Sequence, residues 1–161
     1  MTDGWTAALE ASAAAVMLRN SVWAYPLVNA GHILGVALLI GAIIPLDLRL
    51  LGLWRSVPAA PLWQVLRPTA AFGLRMAVFF GSLLFITRAT EYAASPLFIS
   101  KMVVVGTGIL NALAVQTILP ENRLLSGRQK SGLPIFRRLA AGVSLGAWLT
   151  ALLLGRLVGY F

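Results

Sequence analysis

The stretch AYPLVNAGHILGVALLIGAIIPL, residues 24–46, decides the fold. It carries no formal charge, and about 20 apolar residues are enough to cross a bilayer as a helix. Three further charge-poor stretches extend the pattern, so the predicted spans are residues 24–47, 67–89, 96–119 and 136–157. No stretch shows the period-two alternation of a barrel strand, which leaves helices as the spanning element. The sequence predicts an all-α membrane protein, a bundle of four transmembrane helices forming one domain over residues 1–161.

Composition excludes several other classes of protein. Of the 161 residues, 59% are hydrophobic and 11% charged, and the mean hydropathy is +0.85. Such a chain is too apolar for a water-soluble enzyme. The absence of cysteine excludes disulfides, thiolate metal sites and a thiol nucleophile. The net charge of +8 has no polar basic face to carry it, so we expect no nucleic-acid partner.

The segment before the first span is predicted to be a short helix lying in the membrane interface, over residues 4–19. Trp5, Leu9, Ala13 and Val16 share one helical stripe there. An apolar stripe on an otherwise polar helix is typical of interfacial helices. The alternative is an ordinary helix end that faces solvent.

The basic residues predict the orientation. Eight lie in the loops after the first and third spans, whereas three lie on the other side: Arg49, Arg55, Arg67, Arg123, Arg128, Lys130, Arg137 and Arg138 against Arg19, Arg88 and Arg156. Cytoplasmic loops carry an excess of lysine and arginine. We therefore expect a multi-pass protein of the bacterial inner membrane, with both basic loops in the cytoplasm and both termini outside.

The spans contain two sets of polar residues. Placing a polar group in lipid costs free energy, so each set calls for a structural or functional explanation. His32 lies about 9 Å and Lys101 about 7 Å below the outer surface at about 1.5 Å per residue. The two side chains are thus at similar depth, in an outer set that comprises Asn29, His32, Arg88, Glu91, Lys101 and Arg156. An inner set comprises Arg75, Asn111, Asp47 and Arg49.

The inner set favours a structural role. Arg75 needs hydrogen-bond acceptors, which Asn111 and exposed carbonyls are placed to supply. Asp47 and Arg49 are close enough in sequence to pair with each other or with loop basics. These interactions would stabilise the packing of the helices and would have no catalytic role.

His32 suits an axial ligand of haem iron, since a neutral imidazole on a helix facing the bundle interior can coordinate it. Its other nitrogen needs an acceptor, either near Asn29 or from a backbone carbonyl. Arginines near the surface, Arg88 and Arg156, are suited to carboxylates such as haem propionates. Lys101 could act as a sixth ligand, a carboxylate partner or a proton carrier. Spacing alone favours the alternative, a histidine hydrogen-bonded inside the bundle without a ligand.

Small residues on three spans predict close helix packing. They are Gly35 and Gly41 on the first, Gly106 and Gly108 on the third, and Gly142 and Gly146 on the fourth. Gly142-x-x-x-Gly146 matches a pattern of helix pairing, which suggests a homo-oligomer.

The motif from Trp23 through Tyr25-Pro-Leu-Val-Asn-Ala-Gly-His32 to Gly35, followed by Gly41 and Asp47-Leu-Arg-Leu-Leu-Gly52, resembles a group of small bacterial membrane proteins of unknown function. Ser95-Pro-Leu-Phe-Ile-Ser-Lys101 and Asn111 fit the same group. The resemblance covers nearly the whole chain. It implies a membrane protein of four helices and no particular activity.

A histidine in the first span with a lysine in the third is also distantly similar to the haem-dependent protoporphyrinogen oxidases of bacteria, and more loosely to the copper-resistance D membrane domain. The resemblance to the oxidases implies a haem b site at His32 and a functional role for Lys101. The flanking residues Tyr25 to Asn29 and Asp47 to Arg49 depart from that family. The resemblance therefore implies the haem site and not the oxidase reaction.

Three functions follow as hypotheses. The first is a membrane protein that binds haem b through His32, with Lys101 as the adjacent functional cation, for electron transfer or oxidation with a quinone or a partner subunit. The second is a non-catalytic subunit or scaffold of a larger membrane complex. The third is a small-ion transporter or channel that uses Arg75 and Lys101 as pathway charges.

Overall fold

The computed structural model describes residues 3–118 and 133–160. Within these ranges the chain forms seven helices and no strand, which confirms the all-α fold. The helices are α1 (Asp3–Glu10), α2 (Ala13–Asn20), α3 (Ala24–Leu51), α4 (Ala59–Thr87), α5 (Ala89–Ala94), α6 (Pro96–Ile118) and α7 (Leu133–Leu157). The predicted end of the third span at residue 119 and the loop basics Arg123, Arg128 and Lys130 lie outside the described residues.

Four of these helices, α3, α4, α6 and α7, are long and apolar enough to cross a membrane. Many of their large apolar side chains are exposed, as with Ile33, Val103 and Leu153, and few are fully buried. Exposed apolar surface of this extent is typical of a protein that lipid or other membrane helices surround. The chain is therefore a multi-pass integral membrane protein.

Two helices are longer than predicted because proline does not end them. Helix α3 passes through Pro45 and ends at Leu51, and α4 begins at Ala59 and passes through Pro68. Proline removes one N–H from a helix, but neighbouring helices and local adjustments can satisfy the freed backbone groups in a membrane protein. The polar loop between these spans is correspondingly shorter than the sequence suggests.

The N-terminal segment forms two helices instead of the single predicted one. The break lies at Ser12, whose hydroxyl accepts a hydrogen bond from the Ala15 N–H at 3.3 Å and caps α2. The buried side chains are Thr6, Ala15 and Leu18, whereas Trp5 and Val16 of the predicted stripe are exposed. Helix α1 packs on α5 and α4, so this segment lies against the end of the bundle through a different face.

Helices α3 and α4 approach each other to backbone contact at Gly35 and Gly73. A Cβ atom on Gly35 would lie 2.5 Å from the backbone N of Ala77, and one on Gly73 would lie 2.5 Å from the backbone N of Leu39. No side chain fits at either position. Small residues of this kind allow the close van der Waals packing that holds membrane helices together.

The four spans form two antiparallel pairs, α3 with α4 and α6 with α7, and α3 also packs on α7. Leu39, Ala42, Ala70 and Trp148 make the core where the pairs meet. We call the end of the bundle that carries α1, α5 and the end of α7 the terminal end. The opposite end, which carries residues 52–58 between α3 and α4, is the loop end.

The other predicted packing glycines divide into two groups. Gly108 lies against the Trp148 ring, with a built Cβ 3.0 Å from Cε2. Gly41, Gly106, Gly142 and Gly146 have open space within 4 Å of where a Cβ would be. Gly146 lies on a shallow groove between α6 and α7 that also includes Thr107 and Thr150. A homo-oligomer formed through Gly142 and Gly146 remains a prediction.

Gly35→Ala should destabilise the bundle, because the added methyl group would overlap the α4 backbone. Overpacking of this kind costs about 1–3 kcal/mol. Gly41→Ala is the matched control on the same helix, and its methyl group meets open space. Unfolding by detergent in bicelles measures both variants, and equal stability of the two would contradict the close contact.

Candidate functional site

His32 is a half-buried residue on α3 that faces α4. Its Nδ1 lies 2.8 Å from the backbone carbonyl oxygen of Ala77. A carbonyl can only accept, so Nδ1 carries the hydrogen and donates it. In a neutral imidazole this leaves Nε2 with a free lone pair. This is the arrangement by which proteins orient a histidine that ligates a metal.

Gly81, one turn beyond Ala77 on α4, leaves the space that the imidazole occupies. A Cβ on Gly81 would lie 3.0 Å from Cε1 and 3.1 Å from Nδ1 of His32. A larger side chain at this position would therefore press on the ring. The acceptor at Ala77 and the gap at Gly81 together fix the position of His32.

Lys101 on α6 is half-buried and lies against α7. A Cβ on Gly155 would lie 3.4 Å from the lysine Nζ. The lysine charge reaches the His32 imidazole as an electrostatic effect that is weaker than burial and weaker than the hydrogen bond to Ala77. The ammonium makes no hydrogen bond or ion pair with any residue that the structure describes. Lys101 is therefore a lysine without a described counter-ion, on the helix pair opposite the one that holds His32.

A separate cavity of about 380 Å³ opens at the terminal end. Its lining includes Tyr25, Tyr92 and Tyr160, which are all the tyrosines of the sequence. Burial raises the pKa of Tyr92, so this phenol keeps its proton at neutral pH and can donate a hydrogen bond. His32 and Lys101 are not among the lining residues. The cavity therefore lies at the rim of the bundle, by which we mean the surface of its terminal end. It is distinct from the site inside the bundle.

The remaining members of the predicted outer set lie at this rim. Arg88 and Glu91 both line the cavity and form an exposed ion pair at 3.2 Å. Arg156 hydrogen-bonds the Tyr160 hydroxyl and lies 4.6 Å from the centre of its ring. Asn29 is exposed, and the acceptor for His32 is the Ala77 carbonyl rather than Asn29. The structure thus leaves His32 and Lys101 inside the bundle on different helix pairs, and it places Arg88, Glu91 and Arg156 around the terminal end.

Asn111 and Arg75, which the sequence predicts as partners, do not meet. The Asn111 Nδ2 donates to the Ala140 carbonyl at 3.0 Å and joins α6 to α7. Arg75 is exposed on α4, which packs on α3 through Gly73 and Ala77. An arginine at the centre of a transmembrane helix costs about 2.5–3.5 kcal/mol on insertion scales. Asn111 therefore joins α6 to α7 instead of pairing with Arg75, and Arg75 has no hydrogen-bond partner within the described chain.

Asp47 and Arg49 also take separate partners. Asp47 is 6% exposed and interacts with Ser144 on α7, while its Oδ2 has no hydrogen-bond partner among the described residues. The Arg49 Nε donates to the Val57 carbonyl at 2.7 Å and closes the turn between α3 and α4. The expected pair between the two side chains does not form.

The described residues contain no group of three or more histidine, cysteine, aspartate or glutamate side chains that could hold a metal ion. The whole sequence has one histidine and no cysteine. A bare transition metal needs several such ligands from the protein. A cofactor that supplies most of its own ligands, as haem does, needs only one.

Ala77, Gly81 and Gly155 are the site residues that sequence reasoning missed. None of their side chains carries a functional group, so the sequence alone gives no reason to assign them a chemical role. The small residues Gly73, Ala77 and Gly81 recur every four positions, and this spacing is the signal that marks the face of α4 opposite His32.

Nitrogen NMR of histidine-labelled protein should show His32 protonated at Nδ1 and unprotonated at Nε2. The single histidine makes the assignment unambiguous. Gly81→Val should break the hydrogen bond to Ala77 by displacing the ring and shift both signals, whereas Gly41→Val should leave them in place. A proton on Nε2 in the unaltered protein would contradict the geometry.

Comparison of this chain with protein-family models, with curated proteins and with solved structures finds no match.

Proposed function

We propose that this membrane protein binds haem b in the bundle, with His32 as an axial ligand through Nε2. The observations that carry the proposal are an oriented histidine with a free ring nitrogen and a lysine inside the bundle that has no described counter-ion. The hydrogen bond to Ala77 holds the ring and leaves Nε2 free. Histidine is the commonest axial ligand of b-type haem.

Lys101 supplies the second half of the argument. An anion would stabilise this half-buried cation, and no described carboxylate pairs with it. A propionate of haem b is a carboxylate attached to the same group that His32 would ligate, so one ligand satisfies both side chains. Charge-assisted hydrogen bonds of this kind are among the stronger ones in proteins. Lys101 would orient the group and neutralise its charge.

When bound, haem b would supply a one-electron redox centre, which suits electron transfer or oxidation chemistry. Arg88 and Arg156 lie at the terminal end, where they would act on carboxylates that reach the rim. The proposal includes a quinone or a partner subunit, which would donate electrons to the haem or accept them from it. The lipid-facing surface of the spans gives either partner access from the membrane.

The visible spectrum of protein purified from cells supplied with haem precursor tests the proposal. The unaltered protein should show a Soret band and the haemochrome of b-type haem. His32→Gly should lose the band, and added imidazole should restore part of it, which separates loss of the ligand from loss of the fold. Lys101→Gln should weaken haem binding at least tenfold, since a hydrogen bond to a charged group is worth about 1.5–3 kcal/mol.

Asn29→Ala is the matched control for the haem experiment, because Asn29 is exposed one turn from His32 on the same helix. Its spectrum should equal that of the unaltered protein. Colourless unaltered protein, or a Soret band that survives His32→Gly, would overturn the haem proposal.

A second candidate function is that of a non-catalytic subunit of a membrane complex. The observation that favours it is Arg75, a charged side chain exposed on the outside of a spanning helix. Nothing in the described structure places Arg75 and Lys101 on a common path through the bundle. The transport hypothesis therefore gains no support from their positions.

We also propose that the protein lies in the bacterial inner membrane with its loop end in the cytoplasm. The excess of basic residues at that end supports this orientation. Because the chain has no cysteine, single-cysteine variants report sidedness directly. An impermeant maleimide should label Thr90→Cys in intact cells and Ser56→Cys only after permeabilisation, since both residues are exposed and lie at opposite ends. The reverse pattern would invert the topology.

A further inference from the structure

One side of α4 is exposed along the whole span and carries polar residues among apolar ones. We call it the α4 outer face. At about 100° per residue, its members lie within one narrow stripe: Gln64, Pro68, Phe72, Arg75, Phe79 and Ser82. The residues that pack on α3, namely Ala70, Gly73 and Ala77, lie on the opposite side of the helix. The α4 outer face therefore points away from the bundle.

Arg75 lies deep within the span. Twelve residues separate it from Thr87 at the terminal end of α4, about 18 Å along the axis, and eight separate it from Arg67, about 12 Å. The hydrocarbon core of a bilayer is about 30 Å thick. Arg75 makes no hydrogen bond or ion pair within the described parts of the chain. Charged residues inside a membrane almost always pair with another group or face water.

A second copy of this chain does not supply the missing charge. The sequence has five acidic residues, and Asp47 is the one that falls within a span. Asp47 is buried against α7 and is not available to a neighbour. Packing the α4 outer faces of two copies together would bring two arginines close to each other. A carboxylate that pairs with Arg75 within the membrane would therefore come from a different molecule.

We propose that the α4 outer face docks a transmembrane helix of another membrane protein, one that carries an aspartate or glutamate in the middle of its span. Arg75 would pair with that carboxylate. Phe72 and Phe79 lie one turn to each side of Arg75 and provide apolar contact around the pair. Ser82 and Gln64 add hydrogen-bonding groups of the kind that join helices in membranes.

The docking proposal stands apart from haem binding. Ala77 and Gly81, which position His32, lie on the inner side of α4. A change at Arg75 should thus leave the His32 site intact. Failure of one proposal does not entail failure of the other.

The test uses the full chain in phosphatidylcholine vesicles, labelled with a fluorescent donor at Thr90→Cys, an exposed position outside the α4 outer face. The probe is a synthetic helix of about 20 leucines with one central aspartate and an acceptor dye. Energy transfer should show at least tenfold tighter association for this peptide than for the same peptide with a central leucine. Arg75→Leu and Arg75→Gln should each abolish that difference.

Arg55→Leu is the matched control, because it removes an exposed arginine outside the spans. It should leave the preference for the aspartate peptide unchanged. Equal association of the aspartate and leucine peptides, or a preference that survives Arg75→Leu, would overturn the proposal. Transfer between donor-labelled and acceptor-labelled copies of the protein alone, if it is lost in Arg75→Leu, would assign the face to a second copy. Displacement of the peptide by an equal mole fraction of oleate would assign it to a lipid carboxylate, and either result overturns the proposal.

Discussion

The rest of the structure depends on the backbone contact between α3 and α4. In lipid there is no hydrophobic force to drive two apolar helices together, so close packing must supply the attraction. Gly35 and Gly73 permit it, since each lies where the other helix's backbone leaves no room for a side chain. Only at this separation does the His32 side chain reach the carbonyl of Ala77. The geometry of the candidate site thus follows from the close packing of α3 against α4.

The sequence predicts the fold well because length and apolarity decide which segments span a bilayer. It also predicts that His32 and Lys101 lie at similar depth, since a helix rises by a constant amount per residue. Depth does not fix the direction in which a side chain points. Arg75 and Asn111 have similar predicted depths, yet Asn111 bonds α7 while Arg75 points away from the bundle.

The helix ends and the hydrogen-bond acceptor of His32 are harder to predict from the sequence, each for its own reason. Pro45 and Pro68 suggest helix ends because proline disfavours the interior of a helix. Contacts with neighbouring helices in a bundle can override that local preference. The acceptor at Ala77 is a backbone atom, and every residue has one. Its selection depends on which helix lies opposite His32, which a single sequence reveals only through the spacing of small residues on α4.

The division of the bundle into two pairs bears on how the protein is made. Helices α3 and α4 are joined by a short turn that Arg49 closes, so they can form a hairpin soon after they leave the ribosome. His32 and its acceptor both belong to that first hairpin, whereas Lys101 and Gly155 belong to the second. During synthesis the histidine can therefore be oriented before the helix that carries Lys101 packs into the bundle. A molecule that contacts both side chains would link the two helix pairs and would stabilise their final assembly.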